Sequence, residues 1–289
     1  MIDLKPVKQT KLIGLDKFII ELVELYENNK LPSKILLSGL KGVGKSTLAY
    51  HLINYILSKN EEFPYDLKNL SINLSNHSFK TILNNSNPNF YSIDLNFEKK
   101  FIDINQIRKL ISNLTKSSFN KKPRFVLIDN IEFLNNNSIN ALLKILEEPT
   151  DNVHFILINN NKKILETLLS RCINFRIYLS NKETFIISNK LLDGKINEII
   201  NEDLINYYST PGNIFNLANF AFQNEYDLNN STLKDFLKII INNNHYKKDS
   251  VIKHLIYDYI EFYFYKINSS LSSKINNNYK YFLKRISEA

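Results

Sequence analysis

Gly39 and Gly44 stand with four residues between them, and Lys45, Ser46 and Thr47 follow without a break. This GxxxxGKS spacing builds a loop whose backbone N–H groups turn inward around phosphate oxygens, because glycine has no Cβ to obstruct them. Lys41, Gly42 and Val43 lend main-chain donors to the same loop. Lys45 offers an ammonium to the β- and γ-phosphates, and the Ser46 hydroxyl is a hard oxygen suited to Mg2+. Thr47 is read as packed or hydrogen-bonded beside them. The chemistry expected here is the holding of ATP with Mg2+. Asp129 ends the apolar run FVLID, so its carboxylate should emerge where a strand finishes, beside the loop, and face a magnesium-water shell. The next residue is Asn130, whose amide cannot accept a proton from an attacking water. Glu132 is the carboxylate that either substitutes for it or turns elsewhere.

These groups need a strand that ends at the loop and a helix that begins behind it, and the flanking sequence supplies both. KILLSG at 34 to 39 is an apolar strand, and LAYHLINYIL beyond the loop is apolar at helical spacing. A helix is expected over 16 to 28, ended by Leu31-Pro32, and residues 60 to 90 read as polar and irregular. Strand YSIDL (91 to 95), a helix from 103, strand RFVLIDN (124 to 130), a helix over 137 to 148 and strand HFILINN (154 to 160) follow. Strands alternating with helices predict an α/β fold, a parallel sheet with helices on both faces. Beyond residue 180 only helical patterns remain. KETFIISNKLL, INEIINEDLINYYS and PGNIFNLANFAF form an expected helical lid over 181–224. TLKDFLKIIINN, SVIKHLIYDYIEFYFYKI and NYKYFLKRISEA form an all-helical region over 225–289, with the Asn-rich QNEYDLNNS and INNNHY as connectors.

A chain of 289 residues that is 44% hydrophobic can bury a substantial core. The net charge of +8 fits a nucleic-acid or acidic partner, or equally an A/T-rich codon bias that favours Lys, Asn and Ile. The single cysteine, Cys172, excludes a disulfide framework and a multi-cysteine zinc site; it reads as a small buried residue. No apolar run of membrane-spanning length and no leader-like start appear, so a cytoplasmic protein without membrane contact is expected. His51 reads as a helix-face residue and the aromatic run YDYIEFYFYKI as helix packing.

LPSKILLSGLKGVGKSTLAYHLINYIL, NPNFYSID, IDINQIRKL, FVLIDNIEFLNNNSINALLKILEEP and LLSRCINFRI come in the order and spacing of bacterial clamp-loader subunits. Over residues 12 to 220 the chain resembles this AAA+ family, and most of all its DNA polymerase III delta-prime type. NALLKILEEP and the SRC tripeptide at 170 to 172 carry most of the resemblance, while Asn130 and PGNIFNLA favour delta prime over its motor paralogue. The resemblance implies residues 1–180 as an AAA+ nucleotide-binding domain, followed by a lid and a short collar-like domain. It makes Arg171 an arginine finger acting in trans on a neighbour's nucleotide, with a salt bridge as the alternative. A sensor residue is implied at the end of HFILINN, either Asn159 or Asn160. Active relatives carry a glutamate where Asn130 stands and a sensor arginine where Asn213 stands, so weak or absent hydrolysis is implied, with an ATP-hydrolysing motor subunit as the rival. A free-standing nucleotide kinase lacks any recognisable acceptor pocket. The family's four-cysteine zinc module has no counterpart in residues 60 to 90, so no zinc is expected. The implied partners are motor and delta-type subunits, the sliding clamp indirectly, and primer-template DNA. The C-terminal region is shorter than the family's collar, which leaves a reduced collar or an interrupted chain.

Overall fold

The computed structural model describes residues 4–95, 99–115, 120–147, 152–206, 209–248, 250–267 and 281. The chain divides into two compact units, Met1–Leu179 and Ser180–Ala289.

In the first unit, helix α1 (Asp16–Glu27) is followed by strand β1 (Lys34–Ser38) and helix α2 (Lys45–Ser58). Then come α3 (His77–Leu83), β2 (Phe90–Ile93), α4 (Ile104–Leu114), β3 (Arg124–Ile128) and α5 (Asn136–Glu147). β4 (Val153–Asn159), the single turn α6 (Glu166–Leu169) and β5 (Ile173–Arg176) complete it. The strands form one parallel sheet in the order β2-β3-β4-β1-β5. After β1 the chain crosses to the far edge, steps back through β3 to β4, and then passes over β1 to β5. Strand order therefore reverses around β1, and the crevice at the carboxyl ends of β1, β4 and β3 is where such sheets bind ligands. This is the parallel α/β sheet, covered by helices on both faces, that the alternation of strands and helices predicts.

Alternation along the strands builds two cores. Ile35, Leu37, Phe125, Leu127, Ile156 and Ile158 face α1 and α2, with Phe18, Ile19, Leu22, Leu48, Leu52 and Ile53 packed on them. Leu36, Val126, Ile128, Phe155 and Leu157 face the other way, onto Ile107, Leu110, Leu142 and Leu146 of α4 and α5. Both faces of the sheet are covered, which is why its strands are almost continuously apolar. α4 starts with a capping box, Asp103 and Gln106 each accepting from the other's end of the turn.

The segment expected to be irregular is more ordered than its composition suggests. Asn76, fully buried, caps α3: its side chain accepts from the Phe79 N–H (2.6 Å) and the Asn54 amide (3.0 Å) and donates to the Phe63 carbonyl (2.6 Å). Tyr65, Ile72 and Phe79 close a small core around it. His51 is also fully buried, with Nδ1 2.9 Å from the Tyr65 hydroxyl and Nε2 3.1 Å from the Gln9 carbonyl. A carbonyl only accepts, so Nε2 carries the proton and Nδ1 accepts from Tyr65. His51 is thus a residue of the helix face that α2 turns into the core.

The second unit is helical: α7 (Asn181–Leu192), α8 (Ile196–Ile199), α9 (Pro211–Gln223), α10 (Leu233–Asn242), α11 (His245–Lys248) and α12 (Ser250–Ile267). Ile214, Leu217 and Phe220 of α9, Phe236 and Ile240 of α10, and Leu255 and Tyr259 of α12 share one core, which spans position 225. INEIINEDLINYYS does not make one helix. Ile200 is extended, and the Asn201 side chain accepts from the Asp203 N–H to start a separate 3-10 turn, Glu202–Leu204. Asparagine offers the backbone that alternative partner, so the helix stops. NYKYFLKRISEA lies outside the described residues apart from Tyr281.

Candidate phosphate-binding site

The loop between β1 and α2 needs glycine at its first and last positions. Gly39 has φ +154° and a Cβ there would sit 2.1 Å from the Ile177 carbonyl oxygen, because Ile177 continues the β5 ladder against Ser38. Gly44 has φ +97° and a Cβ would meet the Leu15 side chain at 3.0 Å. Gly42 is left-handed as well, at φ +88°. Val43 buries its side chain in the α1–α2 core while its backbone stays in the loop, and Lys41 is exposed. Gly39→Ala is expected to destabilise the protein by about 1–3 kcal/mol, the range for overpacking against an unyielding backbone, measurable by urea unfolding.

Lys45 opens α2 and is 3% exposed. Its Nζ donates to the carbonyls of Gly39 (2.8 Å) and Leu40 (2.7 Å) and to Asn160 Oδ1 (2.9 Å). Burial pulls its pKa down to about 8, while the carboxylates of Asp129 and Glu132 hold it up. The Ser46 hydroxyl donates to Asp129 Oδ2 at 2.5 Å. Burial pushes the Asp129 carboxyl up to about 6, with the charge of Asp94 adding to the effect and the Ser46 and Asn130 donors opposing it. Thr47 is partly buried beside them.

The chain leaves β3 through Asn130 in a left-handed turn, φ 56°, a conformation asparagine tolerates better than most residues. That turn lets the Asn130 N–H bond Asp129 Oδ1 at 2.8 Å, and its Nδ2 reach Asp94 Oδ1 at 2.7 Å. Glu132, in the 3-10 turn Ile131–Phe133, accepts from Asn160 Nδ2 at 2.8 Å; Asn160 Nδ2 also donates to Asn130 Oδ1 at 2.8 Å. Of the two asparagines ending β4, Asn160 therefore faces Lys45. Asn159 closes a local turn, accepting from the Lys162 N–H at 3.1 Å and donating to its carbonyl at 2.9 Å. Asp94 was not singled out from the sequence, although the signal was there. YSID and FVLID end in register, Ile93 opposite Ile128, so two aspartates leave adjacent strands side by side.

The site fits the group its motif implies. Gly39 and Gly44 hold loop conformations in which a Cβ would run into Ile177 or Leu15, and Ser46 with Asp129 forms a hard-oxygen pair able to hold Mg2+. Asp129 is buried with a raised pKa, the condition of a carboxylate whose charge a cation would compensate. Arg171 stands apart from this cluster in its bonding, at the end of α6. Its Nη1 donates to the Thr167 carbonyl at 2.6 Å and its Nη2 pairs with Glu147 at the end of α5. Cys172 packs on the α4–α5 core, and burial raises its thiol to about 11, far from a nucleophile's range. Asn213, in the second unit, lies in the first turn of α9, where its N–H bonds the Thr210 cap.

A family model described as DNA polymerase III, delta subunit matches residues 14–180. The DNA polymerase III subunit delta' of Buchnera aphidicola subsp. Baizongia pistaciae (strain Bp) is 32% identical over 165 residues, 55% of this chain and 47% of the relative. The DNA polymerase III subunit gamma of Buchnera aphidicola subsp. Schizaphis graminum (strain Sg) is 29% identical over 184 residues, 62% of this chain and 47% of the relative. A DNA polymerase III gamma subunit-related protein of Thermotoga maritima superposes with a TM-score of 0.44 at 17% identity, covering 92% of this chain and 77% of that one. The chain spans about half the length of the curated relatives it matches. Within the chain, the matched stretch runs from α1 through β5 and holds the phosphate loop, Asp129, Asn160 and Arg171, so the protein belongs to the DNA polymerase III delta-subunit family as a delta-prime-like clamp-loader subunit.

Proposed function

We propose that this chain holds ATP with Mg2+ in its phosphate loop and, within an assembled clamp loader, lends Arg171 to nucleotide held by a neighbouring motor subunit. The assembly would load a sliding clamp onto primer-template DNA in the cytoplasm, beside motor and delta-type subunits, and the net charge of +8 would serve backbone contacts that read no sequence. The observation that carries the nucleotide reading is the buried Lys45 ammonium, held by two loop carbonyls and by Asn160, beside the Ser46–Asp129 pair. Lys45 would exchange two carbonyls for phosphate oxygens, and Ser46 with Asp129 would hold the metal. When bound, Mg2+ supplies positive charge against the phosphates. Asn130 bridges Asp94 and Asn160 and accepts no proton, which supports a subunit that keeps its nucleotide. Arg171 is suited to a neighbour because its pairing with Glu147 involves half-exposed groups and is cheap to break.

A second reading has one observation in its favour: Glu132 places a carboxylate inside the Lys45–Asn160 network, where a motor subunit would need a base. Titration of the purified chain with a fluorescent ATP analogue and Mg2+, followed by phosphate release, separates the two. Tight binding that Lys45→Ala weakens by about a hundredfold, with negligible turnover, is expected. Turnover as fast as a complete loader's would instead make it a motor. In the assembled loader, Arg171→Ala should lower ATPase by about a thousandfold while leaving this chain's own nucleotide binding unchanged. An unaffected ATPase would remove the finger assignment.

A further inference from the structure

The orientation of the Asn160 amide follows from the chemistry of its neighbours. The Lys45 ammonium only donates and lies 2.9 Å away, so the atom facing it is oxygen. The Glu132 carboxylate only accepts and lies 2.8 Å from the other end, so that end is the NH2 group; Asn130 Oδ1 accepts from the same group at 2.8 Å. The Asn160 backbone N–H also points at Glu132 Oε2, at 3.4 Å. Turning the amide over would set its oxygen against a carboxylate and a second amide oxygen, while the NH2 group would face an ammonium. Every neighbour opposes that turn.

We infer that Glu132 is a positioning residue that fixes Asn160 with its oxygen toward the phosphate loop, so that the site holds nucleotide without using Asn160 to read the terminal phosphate. A terminal phosphate presents only acceptor oxygens to this side chain at neutral pH, and an amide oxygen repels them. Asn160 instead serves as the third acceptor that keeps Lys45 in place. Discrimination between a triphosphate and a diphosphate is then small in this chain. Replacing the carboxylate by an amide, as in Glu132→Gln, removes the one charged acceptor that faces the NH2 group, because the new side chain can donate to a reversed Asn160 as readily as it can accept from the present one.

This inference rests on the nucleotide-holding reading, and one experiment separates the two. The affinities of the full chain for MgADP and for the magnesium complex of a non-hydrolysable imido analogue of ATP are compared, in parent and in Glu132→Gln, by calorimetry. The parent is expected to bind both within about threefold, and Glu132→Gln to favour the triphosphate by about tenfold more, the effect of one added hydrogen bond to a charged group. An unchanged ratio in the variant, or a parent that already prefers the triphosphate tenfold, overturns the role of Glu132. Binding of neither nucleotide to the parent would instead sink the nucleotide-holding reading itself. Phosphate release gives a further arm: measurable turnover in the parent that Glu132→Gln abolishes would assign Glu132 to the water and not to Asn160.

Discussion

Asp129→Asn is expected to stabilise the nucleotide-free protein by up to about 3 kcal/mol near pH 7.5, and at the same time to remove the magnesium-dependent part of its nucleotide affinity. The carboxyl is raised from 3.8 to about 6, first by burial and then by the charge of Asp94. Between those values the folded protein takes up a proton that the unfolded chain does not. The cost of folding around an ionised Asp129 is therefore complete above pH 6, and it disappears as the pH falls from 6 towards 3.8. An amide fits the same place, because Asn can accept from the Asn130 N–H with Oδ1 while its NH2 donates to a Ser46 hydroxyl that has reversed its role. Urea unfolding of parent and variant checks this. The gain should be largest near pH 7.5 and fall to roughly half by about pH 5. A variant less stable than the parent at neutral pH would show that the carboxylate is compensated in the folded protein without a metal.

Acid should act in the opposite direction through His51. Burial holds its pKa down to about 4, against 6.5 in the unfolded chain, and the Gln9 carbonyl only partly offsets this. Its contribution is complete above pH 6.5 and is lost as the pH falls from there through 4, to a total of about 3 kcal/mol. In the parent this loss overlaps the relief at Asp129, so the two partly cancel between about pH 6 and 4. The Asp129→Asn background exposes it: its unfolding free energy should fall steeply on acidification. Adding His51→Gln, which keeps a donor for the Gln9 carbonyl but cannot ionise, should remove most of that slope. His154 is also held low by burial and accounts for a smaller remainder in the same direction. A slope unchanged by His51→Gln would place the acid sensitivity elsewhere.

The readable parts of the chain were those where one local signal settles the structure. KILLS followed by GLKGVGKS requires a strand, a glycine loop and a helix, and β1 and α2 lie where that spacing puts them. The apolar runs ending in Asp94, Asp129 and Asn159 mark three parallel strands for the same reason. α3 was hidden because seven residues with three apolar side chains, in an Asn- and Ser-rich setting, have no periodicity to detect; a buried Asn76 and contacts with α2 hold the helix together. INEIINEDLINYYS erred in the other direction, since its apolar spacing suggests a helix that Asn201 ends by capping the next turn. That His51 is a face residue of its helix was legible, but the helix on which it lies cannot show that Gln9 and Tyr65 are its partners.

Sequence alone determined the residue types at the phosphate loop, the strand-end position of Asp129, the missing carboxylate at Asn130 and the SRC arginine, because each is a matter of local spacing and chemical identity. Tertiary structure decided which of Asn159 and Asn160 turns to Lys45, that Glu132 joins them, and that Asp94 stands beside Asp129. These depend on strands far apart in the chain lying in register and on the hand of the turns that leave them. Asn159 is the last residue of β4 and Asn160 the first beyond it, and no local pattern states which of the two the distant lysine meets.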